Sequence, residues 1–198
     1  MPVILIILDD NFETLVVAIE EGRRILSNIK KAIVYLLSDA LDELFLIGGA
    51  LITGVAIPLN ALQILYVNLF SDSLPAIAFA FETRTDISKR RPDARLLDGQ
   101  AKFLILIVGA ITSALLFALY LTLLNTNIAP NLASTFIFAS FASYTLIVAF
   151  ALRDLSTSIL RYNPFSNVPL TVGVGLGLIF TLAAIYVPFL NQTLSTTP

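Results

Sequence analysis

The sequence predicts an all-α, multi-span transmembrane bundle with a long cytoplasmic stalk helix at its N-terminus. Three observations carry this. The 198 residues are 57% hydrophobic and only 13% charged, with a mean hydropathy of +0.88, and a soluble domain of this length needs more polar surface. Four stretches, about 61–81, 103–124, 131–152 and 169–190, are nearly free of charge and close to the ~20 residues a membrane helix needs. A fifth, about 32–56, is equally apolar but carries Asp39, Asp42 and Glu43. Finally, with the first span starting in the cytoplasm, all 12 Lys and Arg residues fall on one side of the membrane. The loops near 57–60, 125–130 and 191–198 then lie opposite and carry no charge. That asymmetry supports both the span count and the orientation, with the N-terminus expected to be cytoplasmic.

Residues 1–8 are apolar but too short to span, and they lack the basic flank of an export signal. The run reads as a buried strand. Asp10 and Glu13 fit a capping box, and Phe12, Leu15, Val16 and Ile19 follow at helical spacing. No proline separates Pro2 from Pro58, so one helix from about 11 to 55 is predicted, roughly 65–70 Å long at ~1.5 Å per residue. The alternative is a surface helix that breaks near Gly22. Residues 1–31 are thus expected to be cytoplasmic and 32–198 transmembrane.

Small residues in the spans suit close helix packing: Gly173 and Gly177 form a GxxxG pair, and Ala110, Ala114 and Ala118 a similar stripe. A nucleotide-loop reading of 173–177 fails, because the segment lies within a span and no lysine follows. Lys89, Arg90 and Arg91 read as topogenic charge, with anionic headgroup binding as the alternative. Nothing supports a nucleic-acid partner.

Cysteine and histidine are both absent. A disulfide framework and the usual zinc, copper and nickel ligands are therefore excluded. A metal bound here is held by oxygen, which suits hard cations. Oxygen donors occur in two clusters. Asp39, Asp42 and Glu43 stand at i, i+3 and i+4 in the first span, and Asn68, Ser71 and Asp72 repeat that spacing in the second. No span carries a Lys or Arg to pair with the four acids. A charged acid costs about 2.5–3.5 kcal/mol at the bilayer centre, so the set costs on the order of 10 kcal/mol. Binding a cation or taking up protons relieves this, so proton uptake is expected to accompany cation release. Pro75 has no N–H for the Ser71 carbonyl, leaving another oxygen free beside Asp72. The six residues Asp39, Asp42, Glu43, Asn68, Ser71 and Asp72 are therefore the candidate metal ligands. The bland reading is that these groups merely hold helices together, but four acids without a counter-ion weigh against it.

The stretches Leu8-Asp9-Asp10-Asn11-Phe12, Val17-Ala18-Ile19-Glu20-Glu21-Gly22-Arg23-Arg24-Ile25 and Asn28-Ile29-Lys30-Lys31 resemble P-type cation-transporting ATPases. In that family they join the phosphorylation domain to the fifth membrane helix. Residues 63–76, Gln-Ile-Leu-Tyr-Val-Asn-Leu-Phe-Ser-Asp-Ser-Leu-Pro-Ala, resemble its sixth helix, and Glu82 with 86–92 the loop after it. The resemblance covers nearly the whole chain, as helices five to nine; its last three spans match mainly in hydropathy and loop pattern. It implies that Glu43, Asn68, Ser71 and Asp72 fall on cation-ligand positions of the calcium-pump-like branch. The sequence departs from that branch at five positions: Ala40 replaces an asparagine ligand, Asp39 and Asp42 are extra acids, Ser71 replaces threonine, and Thr145 falls near the eighth-helix ligand, in a span with no acid.

No stretch resembles the phosphorylated Asp-Lys-Thr-Gly-Thr motif, the hinge Gly-Asp-Gly motif, or the nucleotide-binding and actuator domains. The expectation is therefore the cation-binding, C-terminal transmembrane part of a P-type ATPase, as a fragment, split subunit or truncated chain that does not hydrolyse ATP alone. A stand-alone cation carrier or exchanger and a non-transporting assembly subunit are the alternatives. Ca²⁺ is the first expectation for the transported cation, with Mn²⁺, Na⁺ or H⁺ as the others, and Mg-ATP is needed only in a complete pump. Expected partners are membrane lipid and the remaining pump domains. The expected location is multi-pass in the plasma (inner) membrane.

Overall fold

The computed structural model describes residues 12–83, 96–126, 128–155 and 163–198, and among these every regular element is helical. The apolar run 1–8, Asp10 of the capping box, the 86–92 stretch with Lys89, Arg90 and Arg91, and Arg161 lie outside the described residues.

Helix α1 runs unbroken over Phe12–Thr53, 42 residues, or about 63 Å at ~1.5 Å per residue. Gly22 does not interrupt it, as glycine weakens a helix without ending it. Its first half stands clear of the other helices: from Glu13 to Ser27 every residue is exposed or half-exposed, and Asn28 is the first buried one. The helix stops at Gly54, whose φ of 72° lies in the left-handed region that glycine enters without steric cost. The Gly54 and Val55 amides then close on the carbonyls of Leu51 (3.3 Å) and Ala50 (3.1 Å).

After the short turn, Asn60 and Gln63 cap α2 reciprocally: the Gln63 amide donates to Asn60 Oδ1 (2.8 Å) and the Asn60 amide to Gln63 Oε1 (3.0 Å). Helix α2, Ala61–Phe81, widens into a π-helical turn at Val67–Asp72, resumes as α-helix over Ser73–Ala78, and tightens at Phe79–Phe81. The wide turn lies immediately before Pro75, where a regular ladder would meet a missing N–H. Helix α3 is Gly99–Leu124, capped by Asp98, and α4 is Pro130–Leu152, with proline in its first turn. Helix α5 is Val168–Tyr186, capped by Asn167. The last span therefore ends short of the expected residue 190. Pro188 forces Val187 into extended backbone (φ −80°, ψ 120°) and starts a separate short helix, α6, at Pro188–Leu194.

Helices α2 to α5 are each long and apolar enough to cross a membrane. Large apolar side chains such as Leu44, Leu51, Leu65, Ile77, Leu115 and Ile147 point outward, as lipid-facing positions do. The most extensive helix contact is α1 against α3. It passes through Gly109, where an added Cβ would meet Leu41 Cβ at 2.9 Å and the Ser38 carbonyl at 3.2 Å. The expected Ala110, Ala114 and Ala118 stripe is instead exposed; the buried face of α3 is Ala101, Ile105, Gly109, Ser113, Leu116 and Tyr120. Gly173 and Gly177 do sit at contacts, each with a different neighbour: the first against the α2 backbone at Leu74, the second against Leu146 of α4. The apolar core has two parts. One packs around Leu46, Val67, Leu116 and Phe141, the other around Val34, Phe79, Ile105 and Ala149. Along α1 and α2 the acidic residues lie between the two.

Candidate cation site

Consecutive residues on a helix turn by about 100°, and this decides where each acid goes. Asp39 and Asp42 are buried, at 3% and 1% exposure, while Glu43 is half-exposed. Asp42 turns to α3, where the Thr112 hydroxyl donates to its Oδ1. Glu43 turns to α2, where Asn68 Nδ2 donates to its Oε1 at 2.7 Å. Asn68 itself is exposed, and it also donates to the Ile64 carbonyl at 3.0 Å. Ser71 and Asp72, in the wide turn of α2, are completely buried. The Tyr35 hydroxyl, one turn before Asp39, donates to Asp72 Oδ1 at 3.2 Å.

The residues expected as one ligand set thus divide. Asp39, Ser71 and Asp72 make an inner group, Glu43 and Asn68 an exposed rim, and Asp42 a flank against α3. Among the described residues, no three acids converge as a metal cluster. What stands out is how little the inner group is satisfied. Both Asp39 oxygens, Ser71 Oγ, Asp72 Oδ2 and the Tyr144 hydroxyl are buried and have no hydrogen-bond partner. Such groups cost about 1–3 kcal/mol each, and more when charged, so a cluster of them demands a ligand or protons. A cavity of about 10 Å³ opens beside Asp39 and Tyr144, lined also by Asp42 and Thr145 among others. That is room for about one water-sized occupant.

Tyr35, Thr112 and Tyr144 were not legible as site members from sequence. Tyr35 carries one signal, its position four residues before Asp39 on the same face. Thr112 and Tyr144 lie in uniformly apolar spans, where nothing local marks the inward side. Thr145, which the resemblance sets near a ligand position, does border the cavity.

Comparison with known proteins identifies the family of the chain. The family model described as "Cation transporting ATPase, C-terminus" matches residues 56–198. The calcium-transporting ATPase of Bacillus subtilis is 35% identical over 207 residues, covering 98% of this chain and 23% of that protein. Calcium-transporting ATPase 1 of Yarrowia lipolytica is 30% identical over 198 residues, covering 97% and 21%. A P-type sodium-transporting ATPase4 of Toxoplasma gondii is 43% identical over 88 residues, 44% of this chain and 7% of that protein. The chain spans less than a quarter of the length of these calcium-transporting relatives.

Proposed function

Because the chain belongs to the cation-transporting ATPases, as the C-terminal membrane portion of a P-type pump, we propose that α1 and α2 supply part of a transported cation's binding site. The observation that carries this reading is the set of buried oxygens on Asp39, Ser71 and Asp72 that meet no donor. All donors are hard oxygen, which suits Ca²⁺ first and Na⁺ or Mn²⁺ next. Relatives named as calcium- and sodium-transporting fit that order. Asp39, Ser71 and Asp72 form the inner ligands, and Glu43 with Asn68 the entrance. Asp42, held by Thr112, contributes charge from the side. When the cation leaves, protons take its place on the carboxyls, so transport in one direction carries protons in the other.

In this reading the membrane half of α1 is a fifth span, with the N-terminus and residues 1–31 cytoplasmic. The stalk transmits movement from the rest of the pump, where Mg-ATP is hydrolysed, to the turn bearing Asp39–Glu43. The rim at Glu43 and Asn68 is open to further ligands from those remaining domains, and lipid surrounds the rest. The membrane is the plasma (inner) membrane.

The test is thermal unfolding of the purified chain in lipid nanodiscs across Ca²⁺, Mn²⁺ and Na⁺ titrations at several pH values. A cation at 100 times its Kd should add about 2.7 kcal/mol of stability. Asp72→Asn should abolish the response, and Glu43→Gln should weaken it. A melting temperature indifferent to all three ions and to pH would sink the proposal.

A further inference from the structure

Hydroxyls on four of the helices share one habit. Ser38 of α1, Thr122 of α3, Thr135 of α4 and Thr181 of α5 each donate to the carbonyl four residues back, at 2.7, 2.8, 3.0 and 2.9 Å. That is an acceptor a regular helix places within reach. Ser73 of α2 departs from the habit. Its hydroxyl donates to the Asn68 carbonyl, five residues back, at 2.8 Å. The bond crosses the wide turn Val67–Asp72, and the spacing gives the reason: a π-helical turn carries its bonds from i to i+5. In a regular turn the Asn68 carbonyl would meet the Asp72 N–H, four residues on.

The flanks of the wide turn are pinned. Before it, the Tyr66 hydroxyl donates to the Phe180 carbonyl of α5 at 2.8 Å. After it, Asp72 accepts from Tyr35 of α1 at 3.2 Å. Gly173 of α5 approaches so closely that an added Cβ would meet the Leu74 carbonyl at 3.3 Å. Asn68, by contrast, is exposed, so packing does not hold it. Hydrogen bonds do. Its Nδ2 donates to Glu43 Oε1 at 2.7 Å and to the Ile64 carbonyl at 3.0 Å, and its own carbonyl accepts from Ser73. Both side-chain hydrogens are then in use, and Oδ1 is the acceptor left for a cation.

We propose that Ser73 is a positioning residue of the cation site: its hydroxyl holds the wide turn open at the Asn68 carbonyl and so keeps the Asn68 side chain on Glu43. This rests on the cation-site reading above, and Ser73 acts through Asn68 without supplying a ligand. When the hydroxyl is removed, the carbonyl turns back towards the Asp72 amide. The Asn68 Cα–Cβ bond rotates with its peptide and leaves Glu43. The rim loses an oxygen ligand, while Asp72, fixed by Tyr35 and by the contact at Leu74, stays in place.

The test is direct Ca²⁺ titration of the full chain in lipid nanodiscs, beside the ¹³C shift of the Asn68 carbonyl, which reports its hydrogen bond. Ser73→Ala removes only the hydroxyl. It should weaken Ca²⁺ binding about fivefold, as loss of one neutral hydrogen bond implies, and move the Asn68 signal. Ser73→Thr offers the same hydroxyl and should bring affinity back to within about twofold of the parent, with the parent's signal. In an Asn68→Ala chain, adding Ser73→Ala should cost less than about twofold more, because both changes act through one side chain. A serine that merely stabilises α2 would lower the melting temperature in Ser73→Ala and leave Ca²⁺ affinity alone. Equal affinity of Ser73→Ala and its parent therefore overturns the proposal and leaves the cation site standing. Tighter binding in Ser73→Ala overturns it as well, since the hydroxyl would then compete with the cation for the carbonyl. So does a full additive loss in the double variant, which would place the effect outside Asn68. A parent chain that binds no Ca²⁺, Mn²⁺ or Na⁺ removes the cation-site reading and this proposal together.

Discussion

Two buried polar regions of this bundle use the same chemistry to opposite ends. At the end of the bundle from which the first half of α1 emerges, the Glu82 carboxylate meets a guanidinium and an amide, and the Arg153 donors find further carbonyl partners. Deeper in the bundle, Asp39 is about as buried as Glu82, yet both its oxygens and Asp72 Oδ2 lack a hydrogen-bond partner, while Asp72 Oδ1 accepts from the Tyr35 hydroxyl. A satisfied network specifies a geometry, whereas an unsatisfied one keeps capacity for something else. Burial and residue type do not tell the two apart; the count of donors does.

The contrast is broken most severely at Arg153. Arg153→Met leaves Glu82 buried without its cation and should cost about 3–5 kcal/mol, read as a lower unfolding midpoint or loss of folded protein in detergent. The opposite sign is expected at Asp39. Asp39→Asn replaces an orphaned acid by a group able to donate towards Asp72. Without added cation it should gain about 1 kcal/mol, while any Ca²⁺-dependent stabilisation falls. A loss of stability comparable to Arg153→Met would place Asp39 among the structural groups instead. Thr112→Val, which removes the one hydroxyl bonded to Asp42, should cost only about 0.5–1.5 kcal/mol. Equal Ca²⁺ titration curves for this variant and its parent would mark Asp42 as a bystander.

Much of the fold was legible in the sequence. Hydropathy located α2 to α4 within a few residues, and the lack of proline between Pro2 and Pro58 announced the length of α1. The end of α5 was missed because composition remains apolar through Val187 and Pro188, although Pro188 was in view. The packing face of α3 was misread for a deeper reason. A helix apolar on all sides has no polar stripe to say which side faces lipid, so Ala110, Ala114 and Ala118 looked as apt as Gly109 and Ser113. The candidate ligands were visible as types and spacings. Their division was not, since it turns on the ~100° between Asp42 and Glu43 and on which helix lies in each direction. The Glu82–Arg153 pair spans 71 positions, and read in order its members look like a loop acid and a topogenic base.

In the five-span reading proposed above, the run of three acids in α1 also bears on how the helix enters the bilayer. On insertion scales each acid near the centre opposes entry by roughly 2.5–3.5 kcal/mol, while each leucine or isoleucine returns only about 0.3–0.6 kcal/mol. Residues 32–53 cannot recover that deficit as an isolated segment in a translocation channel. Helix α2 follows after the turn at 54–60 and brings Asn68 to Glu43 and Tyr35 within reach of Asp72. The two segments are therefore best partitioned into lipid together, as a hairpin whose polar groups meet before either helix faces hydrocarbon alone.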